Sequence, residues 1–243
     1  MFGYDEVLEG VRFAFTDRFG GASLPPYGEL NLGAPSGEGE APVNENYRLI
    51  GDAYGVGRDG VVRVSQVHGR DVHVVRPDDA LPVWPLPTAD ALVTTRTDVT
   101  LCVRAADCLP VLLADSVNGV VGAAHAGRRG MYAGVVPATV AAMRELGAGR
   151  ITAVLGPSAC GKCYEVPAEM RAEVAEQVPA SFAETSWGTP SIDVAAGVVA
   201  QLAELDCAVI DATSCTIESE NLYSYRREGA VSGRMAGLVR LQP

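Results

Sequence analysis

The chain holds three histidines and six cysteines, residue types that ligate soft metals or serve as nucleophile and base near neutral pH. Two of them close apolar stretches in "RAADCLPVLLADSVNGVVGAAHAGRRG", residues 104–130: Cys108 follows "RAAD" and His125 ends "GVVGAA". His68 follows "VSQV" and precedes Gly69, a strand-end position in a tight turn, whereas His73 alternates with valines in "DVHVV" and reads as a strand-face residue. Zinc prefers imidazole nitrogen and thiolate sulfur, and a catalytic zinc keeps three protein ligands with one position open. His68, Cys108 and His125 would supply such a set from three strand ends. Without a metal, the same atoms make a thiolate nucleophile, with His125 as base and Asp107 or another acceptor orienting the imidazole. Inert burial is the third reading and the common fate of cysteine. No HExxH helix supports the metal set, and the residues alone leave all three readings open.

Cys160 and Cys163 form "CGKC", a spacing shared by redox pairs and half zinc sites. No second CxxC and no thioredoxin-like pattern accompanies it, so it reads as a loop with incidental cysteines. Cys102, Cys207 and Cys215 read as buried small hydrophobes. Arginine pairs stand beside glycine in "GRRG" (Arg128, Arg129) and "SYRREG" (Arg226, Arg227), where guanidinium groups suit phosphate or carboxylate. "FGGAS" and "LNLG" add backbone amides and the Asn31 side chain.

Composition narrows the classes. The 243 residues are 48% hydrophobic and 20% charged, ordinary for a globular protein able to fill a core. A net charge of −11 and a single lysine, Lys162, leave no broad basic face for nucleic acid. No apolar run spans a bilayer, and "MFGYDEVLEG" has neither the basic nor the apolar region of a secretory signal. The expectation is a cytoplasmic protein with reduced thiols, a monomer or weak oligomer acting on a small molecule, with no membrane or nucleic-acid partner.

The elements that must position these residues mix without regular alternation, which favours α+β over a doubly wound sheet. "FAFTDRFGGASLPPYGELNLG" reads as a strand and a structured loop, and "APSGEGEAPV" as a polar, mobile stretch. "NENYRLIGDAYG" reads as a helix capped by Asn44. "VVRVSQVHG" and "DVHVVRP" resemble paired strands joined at Gly69-Arg70, and the proline-rich "ALPVWPLPTAD" a surface loop. "ALVTT", "VTLCVRAA", "PVLLAD" and "GVVGAAHAG" are continuous apolar runs suited to strands covered on both faces. "MYAGVVPATVAAMRELG" is the strongest helix, with Pro137 in its first turn or kinking it. "ITAVLGP" reads as a buried strand, "PAEMRAEVAEQV" and "DVAAGVVAQLAEL" as helices, and "CAVIDATSC" and "MAGLVRL" as closing strands.

Together "RFGGASLPPYGELNLG", "QVHG", "ADCLPVLLAD", "AAHAGRRGMYAGV", "LGPSACGKCYEV" and "CTIESENLYSYRREGAVSGRMAGLV" occur in order across almost the whole chain. The set resembles the bacterial YfiH/YlmD family, described as multicopper polyphenol oxidases or laccases and as purine nucleoside phosphorylases. The mammalian laccase-domain-containing protein FAMIN is similar in this region. The resemblance implies one domain over residues 1–243, a four-layer α-β-β-α sandwich shared with a cysteine-dependent toxin deamidase. It implies Zn²⁺ held by His68, Cys108 and His125, with copper as the alternative metal. It also implies phosphorolysis of adenosine, inosine, guanosine and methylthioadenosine, with adenosine deamination alongside. Cys108, His125, Arg129 and Asn31 are then the catalytic candidates, and Arg48, Arg226 and Gln66 the substrate or phosphate candidates. Two positions depart from the family pattern: Arg128 replaces a tryptophan, and Tyr47 replaces an arginine whose task falls to Arg48. Rival functions are copper-dependent phenol oxidation, which three histidines supply poorly, a cysteine hydrolase editing peptidoglycan precursors, and a metal-stabilised interaction module without turnover.

Overall fold

The computed structural model describes residues 1–33 and 38–242. Phe2–Leu8 (β1) and Val11–Thr16 (β2) form an antiparallel hairpin around Glu9 and Gly10, both at positive φ. The acidic start of the chain gave no strand signal, because β1 is an edge strand with no buried residue, only Phe2, Tyr4 and Leu8 being half-buried. Glu40–Ala53 (α1) begins inside the stretch read as polar and mobile, of which residues 34–37 lie outside the described residues. Gly39 occupies the cap position, so Asn44 sits within the helix rather than capping it.

Val61–Val62 (β3) and Val72–Val75 (β4) do not pair with each other as expected. They enter different sheets, because the segment between them turns away from the first strand and the N–H groups of residues 67–69 are gathered onto the Asp90 carboxylate. Ala91–Thr94 (β5), Thr100–Ala105 (β6), Leu109–Asp115 (β7) and Val120–Ala126 (β8) follow where the apolar runs predict them. The strongest helix is two helices, Arg128–Ala133 (α2) and Val135–Glu145 (α3). Gly134 divides them at φ 84°, a left-handed conformation that glycine adopts without a Cβ penalty, and Pro137 then falls in the first turn of α3. Thr152–Leu155 (β9) and Ala168–Gln177 (α4) precede the short hairpin of Phe182–Glu184 (β10) and Pro190–Ile192 (β11). Val194–Glu204 (α5) is capped by Asp193, whose side chain accepts from the Ala196 N–H. Ala208–Asp211 (β12), Tyr225–Glu228 (α6) and Met235–Leu241 (β13) complete the chain.

The result is a mixed α/β fold with two principal sheets. One has the order β1-β2-β13-β6-β3, the other β12-β9-β7-β8-β5-β4. Alternation along β7 explains its uniform burial: Leu112 and Ala114 join Phe13, Phe15 and Val239 between the sheets. Val111 and Leu113 face the other way, among Val136, Val140 and Met143 of α3 and Val198 of α5. The outer face of the five-stranded sheet carries Cys102 and Leu238 against Tyr47 and Ile50 of α1. Among the described residues no helix is long and apolar enough to cross a membrane.

Candidate active site

Strand register brings the chemical residues together. Leu109 of β7 pairs with Ala126 of β8 and Pro110 with His125, so Cys108 falls opposite Gly127 at the end of the ladder. Ala91 of β5 pairs with Ala124, which sets Asp90 beside His125; the His125 N–H donates to the Asp90 carbonyl at 2.8 Å. His68 arrives on the separate 65–69 segment, held by a parallel bridge between Ser65 and Thr88. Its backbone lies at φ 62°, uncommon outside glycine and sustained here by its surroundings. One donor atom from each of His68, Cys108 and His125 lies within 4.8 Å of the others.

Asp90 organises the set. Its carboxylate accepts from the N–H groups of Val67 at 3.2 Å, His68 at 2.9 Å and Gly69 at 2.6 Å. The same carboxylate meets His125 Nδ1 at 2.9 Å. Asp107, expected as an orienting acceptor, does not have this role. Its two oxygens accept from the Thr216 hydroxyl at 2.6 Å and the Arg226 N–H at 2.7 Å. Asp90 went unnoticed in the sequence because it ends a proline-rich loop, although its place just before an apolar strand was a usable signal.

Electrostatics follow from this contact set. Burial raises the Cys108 thiol, but the adjacent His125 charge and hydrogen bonds from His125 and His68 outweigh it and bring it down to about 6. Burial lowers His125, while the Cys108 thiolate and Asp90 carry it up to about 9. Burial also raises Asp90, and its bonds from His125, Gly69 and Val67 pull it down to about 2. Gly127 leaves room for the sulfur: a Cβ there would stand 2.7 Å from Cys108 Sγ and 3.2 Å from the His68 ring.

The cluster floors a cavity of about 600 Å³, within the range of small-molecule sites. Arg104, Arg128, Arg226 and Arg234 line it, with Tyr164 and Tyr225. Among the described residues none of these four arginines forms an ion pair with a carboxylate. Arg226 lies over the Tyr164 ring at 4.7 Å and Arg234 near the Tyr225 ring at 5.7 Å. A cavity with surplus guanidinium charge and aromatic surface suits an anion together with a planar ring.

The family of multi-copper polyphenol oxidoreductase laccases matches residues 12–242. The chain belongs to this family. It is 52% identical over 244 residues to a Streptomyces coelicolor protein named purine nucleoside phosphorylase, covering 98% of this chain and 99% of that protein. The Escherichia coli purine nucleoside phosphorylase YfiH is 35% identical over 235 residues, covering 95% of this chain and 94% of the relative. Among solved structures, a Neisseria meningitidis protein of the DUF152 family aligns with TM-score 0.86 at 31% identity, covering 99% of both chains. YlmD from Geobacillus stearothermophilus aligns with TM-score 0.82 at 27% identity, covering 96% of this chain and 93% of that one.

Set against the family expectations, the structure brings Asn31, Gln66 and Arg226 to the cavity with His68, Cys108 and His125. Asn31 and Gln66 are already engaged with the protein. The Asn31 oxygen accepts from Gly33 at 2.8 Å and Arg234 at 2.9 Å, and its amide donates to Glu38. Gln66 accepts from the Arg104 N–H at 2.9 Å and donates to its carbonyl at 2.8 Å. Both therefore position arginines. Arg48 needs correction: it lies outside the cavity on α1, paired with Glu45 and Asp52. Tyr47 is not a displaced site residue but a core one, fully buried, with its hydroxyl on the Leu32 carbonyl at 2.7 Å. Arg129 is exposed and does not line the cavity, because the first turn of α2 turns its neighbour Arg128 inward instead. The arginines not singled out from the sequence are Arg104, which opens the "RAADC" stretch, and Arg234, inside the C-terminal "VSGRMAGLV" motif; each stands alone rather than in an arginine pair.

Proposed function

We propose that this chain is a zinc-dependent purine nucleoside phosphorylase acting on adenosine, inosine, guanosine and methylthioadenosine, with adenosine deaminase activity. The observation that carries the reading is the cavity itself, with four arginines free of carboxylate partners above the His68–Cys108–His125 cluster. The donor set fits zinc: two imidazoles and a thiolate, with His125 Nδ1 fixed by Asp90 so that its other nitrogen is free to ligate. When bound, zinc supplies Lewis acidity and activation of water. Arg226 and Arg234, with Arg104 and Arg128, hold phosphate, and Tyr164 and Tyr225 offer ring faces to the purine. In phosphorolysis a phosphate oxygen bonds to ribose C1′ as the bond to the purine nitrogen breaks, giving ribose-1-phosphate and the free base. In deamination water adds at purine C6 and ammonia leaves. We also read the packing as one domain of helix, sheet, sheet and helix layers, and place the protein in the cytoplasm.

Copper-dependent phenol oxidation fits less well, because only two imidazoles reach the cluster and His73 lies apart on β4. One observation favours a second reading: Asp90, His125 and Cys108 form the chain of contacts of a cysteine hydrolase, the type expected to edit peptidoglycan precursors. Metal-quantified protein is incubated with adenosine and phosphate, and adenine, inosine and ribose-1-phosphate are separated by chromatography. Free base and ribose-1-phosphate in equal amounts, lost in Cys108→Ala together with the zinc bound at the His68–Cys108–His125 cluster, support phosphorolysis. Full phosphorolysis by metal-free protein removes the metal from the reaction, and a covalent thiol label that survives zinc loading favours the hydrolase.

A further inference from the structure

A second group of ligating side chains stands outside the cavity. Cys160 and Cys163 lie in the loop between β9 and α4, and Cys215 and Glu218 in the segment between β12 and α6. One donor atom from each lies within 4.8 Å of the others. None of these cysteines is in a disulfide. Cys102 and Cys207 are buried as expected, but Cys215 is only half-buried, and it converges with Cys160 and Cys163, more than fifty positions away, on one point.

The backbone holds that convergence. Cys163 and Tyr164 donate their N–H groups to the Cys160 carbonyl, each at 2.9 Å, closing a tight turn. The Lys162 N–H is directed at the Cys160 sulfur. Ser158 and Cys215 form a parallel bridge, with Ser158 N–H on Ser214 and Thr216 N–H on Ser158, both at 3.0 Å. Ser219 N–H returns to the Cys215 carbonyl at 3.1 Å.

We propose that Cys160, Cys163, Cys215 and Glu218 form a closed, four-coordinate structural site for a zinc ion, separate from the cavity cluster. Three sulfurs and one oxygen fill a tetrahedral shell with no open position, the pattern of structural rather than catalytic zinc. The two-residue spacing of the CGKC turn and its N–H directed at sulfur are the features by which such turns present two thiolates to one metal. On binding, the thiols release their protons to solvent and the sulfurs become thiolates. The Arg227 guanidinium, which also pairs with Glu228, donates to the Thr216, Ile217 and Ser219 carbonyls and so braces the segment that carries Cys215 and Glu218.

A dithiol redox pair accounts for less. A two-sulfur exchange needs only the CxxC pair. Here a third thiol, Cys215, and the Glu218 carboxylate converge on the same point and have no task in such an exchange. The proposed ion would tie together two walls of the cavity. Tyr164 adjoins Cys163, and Thr216, next to Cys215, bonds the Asp107 carboxylate immediately before Cys108.

The test uses reduced, full-length protein stripped by chelator and then loaded with Zn²⁺ or Co²⁺. Cys108→Ala silences the cavity cluster, so any remaining zinc reports on the second site alone. One zinc per chain in Cys108→Ala, and none when Cys163→Ser and Cys215→Ser are added, supports the site. In the Co²⁺ form of Cys108→Ala, a thiolate-to-metal charge-transfer band identifies sulfur as ligand. A variant-free measurement guards against misfolding: zinc should slow alkylation of Cys160, Cys163 and Cys215 together in wild-type protein by at least about tenfold. No zinc in Cys108→Ala, protection confined to Cys108, or a Cys160–Cys163 disulfide that forms equally fast with saturating zinc overturns the proposal. Because phosphorolysis is not the readout, the outcome is independent of the function proposed above.

Discussion

Replacing Asp90 with asparagine tests the centre of the site without changing its shape. One carboxylate oxygen takes the His68 N–H and the His125 ring, and the other takes the Val67 and Gly69 N–H groups. Asparagine offers a single oxygen, so its NH₂ must face one of these pairs. Turned toward Val67 and Gly69, it leaves two donors without an acceptor, each costing about 1–3 kcal/mol when buried. The segment is half open to water, which puts the combined loss at the lower end, about 2–3 kcal/mol. Turned toward His125, it forces the ring proton onto the nitrogen that faces Cys108, and that nitrogen can no longer ligate. Loss of such a partner typically weakens metal binding about 10–100-fold. Urea unfolding of the zinc-stripped protein and chelator competition for zinc measure the two effects. The metal-free wild type carries an acid signature as well. Asp90 is held near 2 in the folded protein, below its ordinary 3.8, so its stabilisation is complete above about pH 4 and is lost as pH falls through about 2. An Asp90→Asn protein with wild-type zinc affinity and wild-type urea midpoint would refute the organising role.

The cavity arginines should separate from the surface ones. Arg226→Ala and Arg234→Ala should each raise the KM for phosphate about 10–100-fold, the value of one charge-assisted bond, while Arg129→Ala and Arg48→Ala leave it unchanged. Equal KM values across the four variants would dissolve the anion cradle. Gly127→Ala should lower zinc content while circular dichroism stays native, because its Cβ intrudes on the sulfur; full zinc occupancy would show that the backbone can yield there. In zinc-free protein the rate of Cys108 alkylation should climb through about pH 6, where the thiolate forms beside His125, and zinc should suppress it. A climb centred at the ordinary thiol value of 9.0 would contradict the coupling. His68→Ala should lose the cavity zinc and phosphorolysis while Cys108 remains open to alkylation, read by the drop in metal content and by peptide mass; unchanged zinc content and turnover would remove His68 from the coordination set.

Periodicity carried much of the fold. Continuous apolar runs predicted β5 to β9 because those strands are covered on both faces, and the apolar spacing of "DVAAGVVAQLAEL" predicted α5. What failed was local reading of long-range pairing. Residues 61–75 alternate as a hairpin would, yet β3 and β4 join different sheets because Asp90, distant in sequence, gathers the segment between them. The site divides in the same way. His68, Cys108 and His125 were legible as ligand types at strand ends. Asp90, Arg104 and Arg234 act through their place in the fold: each is a single charged residue at a strand end or in a turn, and its residue type alone does not mark it as part of a site. Arg48 and Arg129 show the converse. Each stood in a suggestive motif, and each is carried on a helix surface facing away from the cavity.

The metal and hydrolase readings compete for the same sulfur, and His68 weighs between them. A thiol nucleophile needs one imidazole and one orienting carboxylate, which His125 and Asp90 already provide. The second imidazole comes from another segment, at a positive φ that costs about 1–3 kcal/mol to hold. Its backbone is fixed by the same Asp90 carboxylate that orients His125. Anchoring the His125 ring and the His68 backbone on one buried anion sets the separation from which the two imidazoles approach each other. A nucleophile–base pair has no use for that constraint, since its base must approach and withdraw as the proton moves. A tetrahedral metal requires it, because ligand separations are fixed by bond lengths. The strained, doubly anchored histidine is therefore the feature that favours a coordination centre over a thiol hydrolase on this fold.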